Sequence, residues 1–329
     1  MVIDMHASMK AWKSAETMVM NETMAKRRTD APVLLPSFFT LAGPISPFSP
    51  PVVSPNPFRA RAEAAGRAGY RGIGVGQDDL RHTLALHSLR EVRAILADNG
   101  MQTFEIEFVG DFLSTQADSP AAWDQRRFIL DAARDLGAAH VKAGTSGPDQ
   151  PLGLMIERFA ALSDEAASFG AGVALELSPI GRITDLPTAV ALVAGAGRAN
   201  GGLLVDIWHM TRMGVANHDI AALPRALIAH VELSDGPLVQ VGDYLDDTIM
   251  RRRLCGQGEF DTAGFLAAIS ATGYDGPYGV EILSDEIRAM DVAEAARVTY
   301  DTALAQFTPR VRVTPPRASG AACAMSPRT

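Results

Sequence analysis

The stretch LLVDIWHMTR, residues 203–212, decides the fold. Its opening apolar run is that of a strand covered on both faces, as in a parallel sheet. It then carries Asp206 and His209, with Trp208 between them. An ionised acid buried in such a run is costly unless it is paired. The stretch therefore reads as a buried parallel strand whose C-terminal end carries chemistry.

Runs of the same kind recur on both sides of it. With 202–210 they occupy 33–41, 71–76, 102–110, 139–144, 172–179, 228–235 and 278–283. Helical patterns separate them at 58–70, 88–100, 121–138, 155–170, 185–197, 219–227, 261–273 and 285–307. Several of these open on an Asp suited to cap a helix N-terminus, and several close on Gly. Eight strand signals, each followed by a helix signal, predict a single (β/α)8 TIM barrel over residues 31–307. A doubly wound sheet would need an early G-x-G-x-x-G with a later acid. GIGVGQ, 72–77, supplies neither in full.

Residues 1–30 show no amphipathic period and read as a flexible leader, with Met24 an alternative start. Residues 308–329, rich in Pro, Ala and Ser, read as a disordered tail. The loop 42–58 follows the first strand and holds six prolines with Phe48 and Phe58. In a barrel it lies on the catalytic face, as a stiff apolar flap or as an ordinary surface loop. The net charge of −8 argues against a nucleic-acid partner. No apolar run is long enough for a membrane span, and no secretory signal opens the chain. Two cysteines, Cys255 and Cys323, form no disulfide framework and suit a reducing cytoplasm.

The last four strands each break their apolar run once: Glu176, Asp206, Glu232 and Glu281. Strands lie about 4.8 Å apart, so four carboxylates at matched depth converge on one side of the barrel mouth. A divalent cation relieves their repulsion; a salt-bridge network with Arg253 or Lys142 is the other solution. Lys142 closes the fourth strand, where it can face the pocket as an acid or pair with a carboxylate. On the third strand Glu105 and Glu107 compete for the same face, and Asp235 reads as a turn residue.

The segments ALELSP (174–179), LLVDIWHM (203–210), HVELSDGP (230–237) and RLCGQGEF…GYDGPYGVEIL (253–283) resemble the xylose isomerase-like barrel superfamily. That group includes sugar isomerases and epimerases, inosose and dehydroshikimate dehydratases and, more distantly, AP endonuclease IV-type enzymes. The resemblance implies Glu176, Asp206 and Glu281 as metal ligands. It places Glu232 where the family carries His or Gln, with His230 as the deeper alternative. An all-carboxylate set favours Mn2+ or Mg2+, ahead of Co2+, Fe2+ or Zn2+. The resemblance further implies Glu176 and Glu281 as an acid/base pair. It sets His209 against a substrate oxygen, where an imidazole suits a proton shuttle. It also puts Arg253, or a neighbour in the run 251–253, on the substrate. With Phe38, Phe39, Phe48 and Trp208 nearby, the site suits a cyclic or partly aromatic small molecule. A homodimer or tetramer is expected from the family.

The expected activity is isomerisation or epimerisation of a hydroxy-ketone, by proton abstraction α to the carbonyl through an enediolate. Loss of a β-hydroxyl from the same start would make the enzyme a lyase. A metal-free binding protein on this fold is the third reading, and Glu232 at the His position is its best argument. An endonuclease would need more histidines.

Overall fold

The computed structural model describes residues 32–48, 50–146 and 149–307. The expected leader and tail lie outside the described residues. Eight parallel strands run in the order β1-β8-β7-β6-β5-β4-β3-β2. They are β1 (Leu34–Pro36), β2 (Gly72–Gly76), β3 (Thr103–Val109), β4 (His140–Ala143), β5 (Gly172–Glu176), β6 (Gly201–Asp206), β7 (Ile228–Leu233) and β8 (Tyr278–Val280). At the seam between β1 and β2 the Arg71 N–H donates to the Leu34 carbonyl at 3.0 Å, so the sheet is a nearly closed barrel. β2 and β6 are buried along their whole length, because helices cover one face and the barrel interior the other. Among the described residues no helix is long and apolar enough to cross a membrane.

Local chemistry sets the helix ends. Ser88 and Glu91 form a reciprocal capping box at the start of Leu89–Asp98. Asp185 caps Leu186–Ala196 through Thr188 N, and Asp261 caps Thr262–Ala271 through Gly264 N. Gly137 ends Pro120–Leu136 at φ 73°, a left-handed conformation that suits glycine.

Five segments depart from the periodic reading. The first strand stops at Pro36, and Phe38–Leu41 turns helical. The sixth stops at Asp206, whose Oδ1 accepts from Trp208 N at 2.9 Å and opens the helix Ile207–Arg212. Two helices, Gln77–Leu86 and Tyr244–Met250, were not foreseen. The final helical pattern divides into Asp285–Arg288 and Val292–Ala305.

Candidate metal centre and active site

The barrel interior is polar in two layers. β7 and β6 pair with Asp206 opposite Glu232, and β7 and β8 with Glu232 opposite Gly279. Glu281 follows β8 directly, its N–H donating to the Leu233 carbonyl. This register gathers Glu176, Asp206, Glu232 and Glu281, whose donor oxygens all lie within 4.8 Å of one another. Glycines make the room. A Cβ at Gly279 would stand 2.7 Å from Glu232 Cγ, and one at Gly74 2.8 Å from Glu107 Oε1.

Two cations sit among these acids. Lys142, 2 % exposed, touches Glu232 and stands 3.2 Å from both Glu105 and Glu107 and 3.7 Å from Glu281. It also donates to Ser37 Oγ at 3.0 Å, and Ser37 in turn donates to Glu232 Oε1 at 2.6 Å. Arg252 bridges Asp206 and Glu281, each at 3.0 Å. Burial would strip the Lys142 proton, but Glu105, Glu107, Glu232 and Glu281 outweigh it and hold the ammonium well above its usual pKa.

The acids still outnumber the cations. Burial, with Asp206, Glu105 and Glu176 nearby, pushes Glu232 up to about 8 against the pull of Lys142. Burial and Glu232 push Glu281 to about 8, although Arg252 and Lys142 oppose them. Burial and the neighbouring Glu281 and Glu105 lift Glu107 to about 7 against Lys142. Glu232 Oε2 is buried with no hydrogen-bond partner. Clustered donor oxygens, an excess of carboxylate and an orphaned oxygen fit a hard divalent cation at this place.

His209 joins the group from the helix after β6. Its Nε2 lies 3.0 Å from Glu176 Oε1 and 3.5 Å from Asp206 Oδ2, and Nδ1 bonds the Tyr244 hydroxyl. Burial disfavours the imidazolium, but Glu176 and Asp206 outweigh it and raise the His209 pKa. In the same pair burial opposes the Glu176 carboxylate, while His209, Lys142 and Arg252 hold its pKa down.

A cavity of about 560 Å³ opens over this layer. Glu107, Lys142, Glu176, His209, Arg252 and Glu281 form its polar floor, and Phe38, Phe39, Phe48 and Phe108 are among its apolar walls. The proline-rich loop contributes Pro47, Phe48 and Val52 to the wall, so it flanks the cavity as the flap reading expects. Asp78 and Asp79 anchor it by accepting from Val52 N and Ser54 N.

The expected residues are not all brought together. Arg253 turns its side chain to solvent while its backbone pairs with Asp235, so alternation along the chain sends Arg252 inward instead. Trp208 is fully buried outside the cavity, against Arg212 and Phe260, because the turn into helix at Asp206 rotates it away. His230 lies one layer down, away from the four carboxylates. Glu105 and Glu107 do not compete. Both face the interior one layer apart, as alternate strand residues do. Tyr244 was missed because its helix has no apolar period to announce it. The repeat in 251–253 offered three arginines without a way to choose.

A family model described as xylose isomerase-like TIM barrel matches residues 62–302. The chain belongs to that family. A 3-dehydroshikimate dehydratase of Pseudomonas aeruginosa is 31% identical over 234 residues, covering 70% of this chain and 36% of that protein. The chain thus spans about a third of the length of that relative. An inosose isomerase of Halalkalibacterium halodurans is 28% identical over 143 residues, covering 43% of this chain and 50% of that protein. Among solved structures, the IolI protein with a bound zinc atom superposes with a TM-score of 0.72. It is 19% identical and covers 84% of this chain and 98% of its own, a likeness of fold.

Proposed function

We propose that this barrel is a divalent-metal-dependent enzyme that removes a proton α to the carbonyl of a cyclic hydroxy-ketone and expels a β-hydroxyl as water. The convergence of Glu176, Asp206, Glu232 and Glu281, with His209 3.0 Å from Glu176, carries the reading. Those four carboxylates would hold the cation, with Mn2+ or Mg2+ favoured by their hardness. When bound, the cation supplies Lewis-acid polarisation of the ketone.

The chain's own groups do the rest. Glu281 lines the cavity and accepts the α-proton; a bound cation, with Arg252, would hold its carboxylate ionised against the burial that raises its pKa to about 8. Glu176 favours the protonated form of His209. His209 then gives its proton to the departing hydroxyl, which leaves as water while the C–H electron pair becomes the new C=C bond. Lys142 lines the floor and keeps Glu107 and Glu232 from repelling each other. Phe38, Phe39 and Phe108 line the apolar side of the cavity, which suits a flat substrate and excludes water.

The dehydratase relative and the raised pKa of His209 favour elimination. The inosose isomerase relative favours the second outcome, in which Glu176 or His209 returns the proton to carbon and the product is an isomer or epimer. The metal-free binding reading is the weaker one, because the orphaned Glu232 oxygen and the carboxylate excess call for a further cation. Cysteine usage fits work in a reducing cytoplasm.

Incubation with 3-dehydroshikimate and with an inosose in deuterated buffer, with Mn2+ or with EDTA, tests this. Metal-dependent loss of one water supports the lyase. Deuterium gain at constant composition supports the isomerase. Neither change with either ketone, or turnover indifferent to EDTA, refutes the proposal.

A further inference from the structure

A second cluster lies beneath the first. Glu105 on β3, His140 on β4 and His230 on β7 bring one carboxylate and two imidazoles together inside the barrel, their donor atoms all within 4.8 Å of one another. β4 and β7 are not neighbours in the sheet, so these side chains meet across the barrel interior. His140 Nε2 stands 2.9 Å from Glu105 Oε2, and His230 Nε2 stands 3.4 Å from the same oxygen. The imidazole rings are 4.5 Å apart.

Glu105 Oε1 faces Lys142 at 3.2 Å and Oε2 faces His140, whereas both nitrogens of His230 are buried with no hydrogen-bond partner. Groups of such polarity are almost always paired when buried. Metal bonds of about 2.1 Å place neighbouring donors about 3.0 Å apart in an octahedron and about 3.4 Å apart in a tetrahedron. The 3.4 Å approach of His230 matches the tetrahedral spacing, and the 2.9 Å approach of His140 lies just under the octahedral one. Glycines in the wall make room for the donors themselves. A Cβ at Gly279 would come within 2.8 Å of His230 Nε2, and one at Gly74 within 2.9 Å of Glu105 Oε1. His140 lines a separate cavity of about 570 Å³, together with Val33, Thr103, Gly172 and Gly201 at the N-terminal strand ends. That cavity gives an ion a route that does not pass the upper centre.

We infer that Glu105, His140 and His230 form a second metal site, which takes a first-row transition dication through two imidazoles and one carboxylate. The donor set is softer than the four carboxylates above it and suits Zn2+ over Mg2+. Lys142, 3.2 Å from Glu105 Oε1, leaves Oε2 for the ion. The site ties β3 and β4 to β7 through the interior, which gives the ion a structural role under the catalytic floor.

The full chain is purified from Zn2+-supplemented growth, dialysed against metal-free buffer and assayed for zinc per folded chain. Asp206→Asn removes a donor from the upper centre only, and His140→Gln removes one from the lower. The expected result is retained zinc in Asp206→Asn, lost when His140→Gln is added. Co2+ bound to Asp206→Asn should show the visible bands of a nitrogen-ligated ion, and these should vanish with His140→Gln. In crystals of the unaltered protein, an anomalous zinc peak should lie within bonding distance of both Nε2 atoms. No zinc in folded Asp206→Asn, zinc unaffected by His140→Gln, or no such peak overturns the site. The crystal measurement decides even if a variant fails to fold. One ion that survives Asp206→Asn and is lost with His140→Gln supports this site while counting against the upper one.

Discussion

Replacing Lys142 with methionine tests the electrostatic account of the upper centre most directly. The ammonium is buried, touches Glu232 and lies 3.2 Å from Glu105 and Glu107 and 3.7 Å from Glu281. At an effective dielectric near 20, one such pair at 3.7 Å is worth about 4–5 kcal/mol before desolvation. Most of that is offset by the loss of the ammonium's own hydration, and the abandoned carboxylates can take up protons. The net loss should match the roughly 3–5 kcal/mol found when one partner of a buried pair is removed. For a domain of this size that lowers Tm by roughly 6–20 °C in EDTA. The substitution also frees two of the four proposed ligands from a competing cation. If about 1.4 kcal/mol of the lost attraction passes to the ion, Mn2+ binds about tenfold more tightly. Thermal melts with EDTA and with saturating Mn2+ check both parts. The variant should start lower and gain more from Mn2+ than the unaltered protein does. A gain equal to or smaller than that of the unaltered protein would refute the argument that Lys142 and the metal answer the same charge excess.

Three further outcomes follow from the same geometry. His209→Asn should lower kcat by about 10²–10³-fold while leaving metal content unchanged, since the imidazole acts on substrate. The alkaline limb of the kcat profile, set by the raised His209 pKa, should disappear with it. Arg252→Ala should abolish most turnover and loosen the Asp206–Glu281 pair, whereas Arg253→Ala, at an exposed position, should leave kcat/KM within about twofold and Tm nearly unchanged. For pH, Glu232 and Glu281 carry folded values near 8 against an ordinary 4.5. The metal-free fold therefore holds extra protons between those values. Its added stability is full below about pH 4.5 and is lost as pH rises through about 8. Mn2+ must displace those protons, so its affinity measured by calorimetry should climb from pH 6 to 8 and then level. A flat affinity would contradict the raised values.

The barrel was legible because its strands are covered on both faces. Apolar runs such as GLLVD and GVALE, bounded by Gly and separated by capped helices, have few other folds open to them. The four carboxylates were legible for the same reason, since each interrupts such a run at its C-terminal end. Their convergence then needed only strand spacing and parallel order. The structure brings Glu176, Asp206, Glu232 and Glu281 into one cluster, as that arithmetic expects, and sets His209 and Lys142 beside them.

Other parts depended on rotation about single residues. Whether Arg252 or Arg253 points inward is set by a short pairing with Asp235 that no local pattern encodes. Trp208 leaves the pocket because Asp206 both ends a strand and caps a helix. Glu105, His140 and His230 stand on strands far apart in the chain, and only closure of the barrel makes them neighbours. The sequence by itself determined the eightfold rhythm and the acids at the strand ends, because burial and alternation act along the chain. The tertiary structure alone decided which cations sit among those acids, which aromatic rings wall the cavity and which imidazoles meet beneath it. Those contacts act across the barrel, between residues whose separation in sequence carries no record of their distance in space.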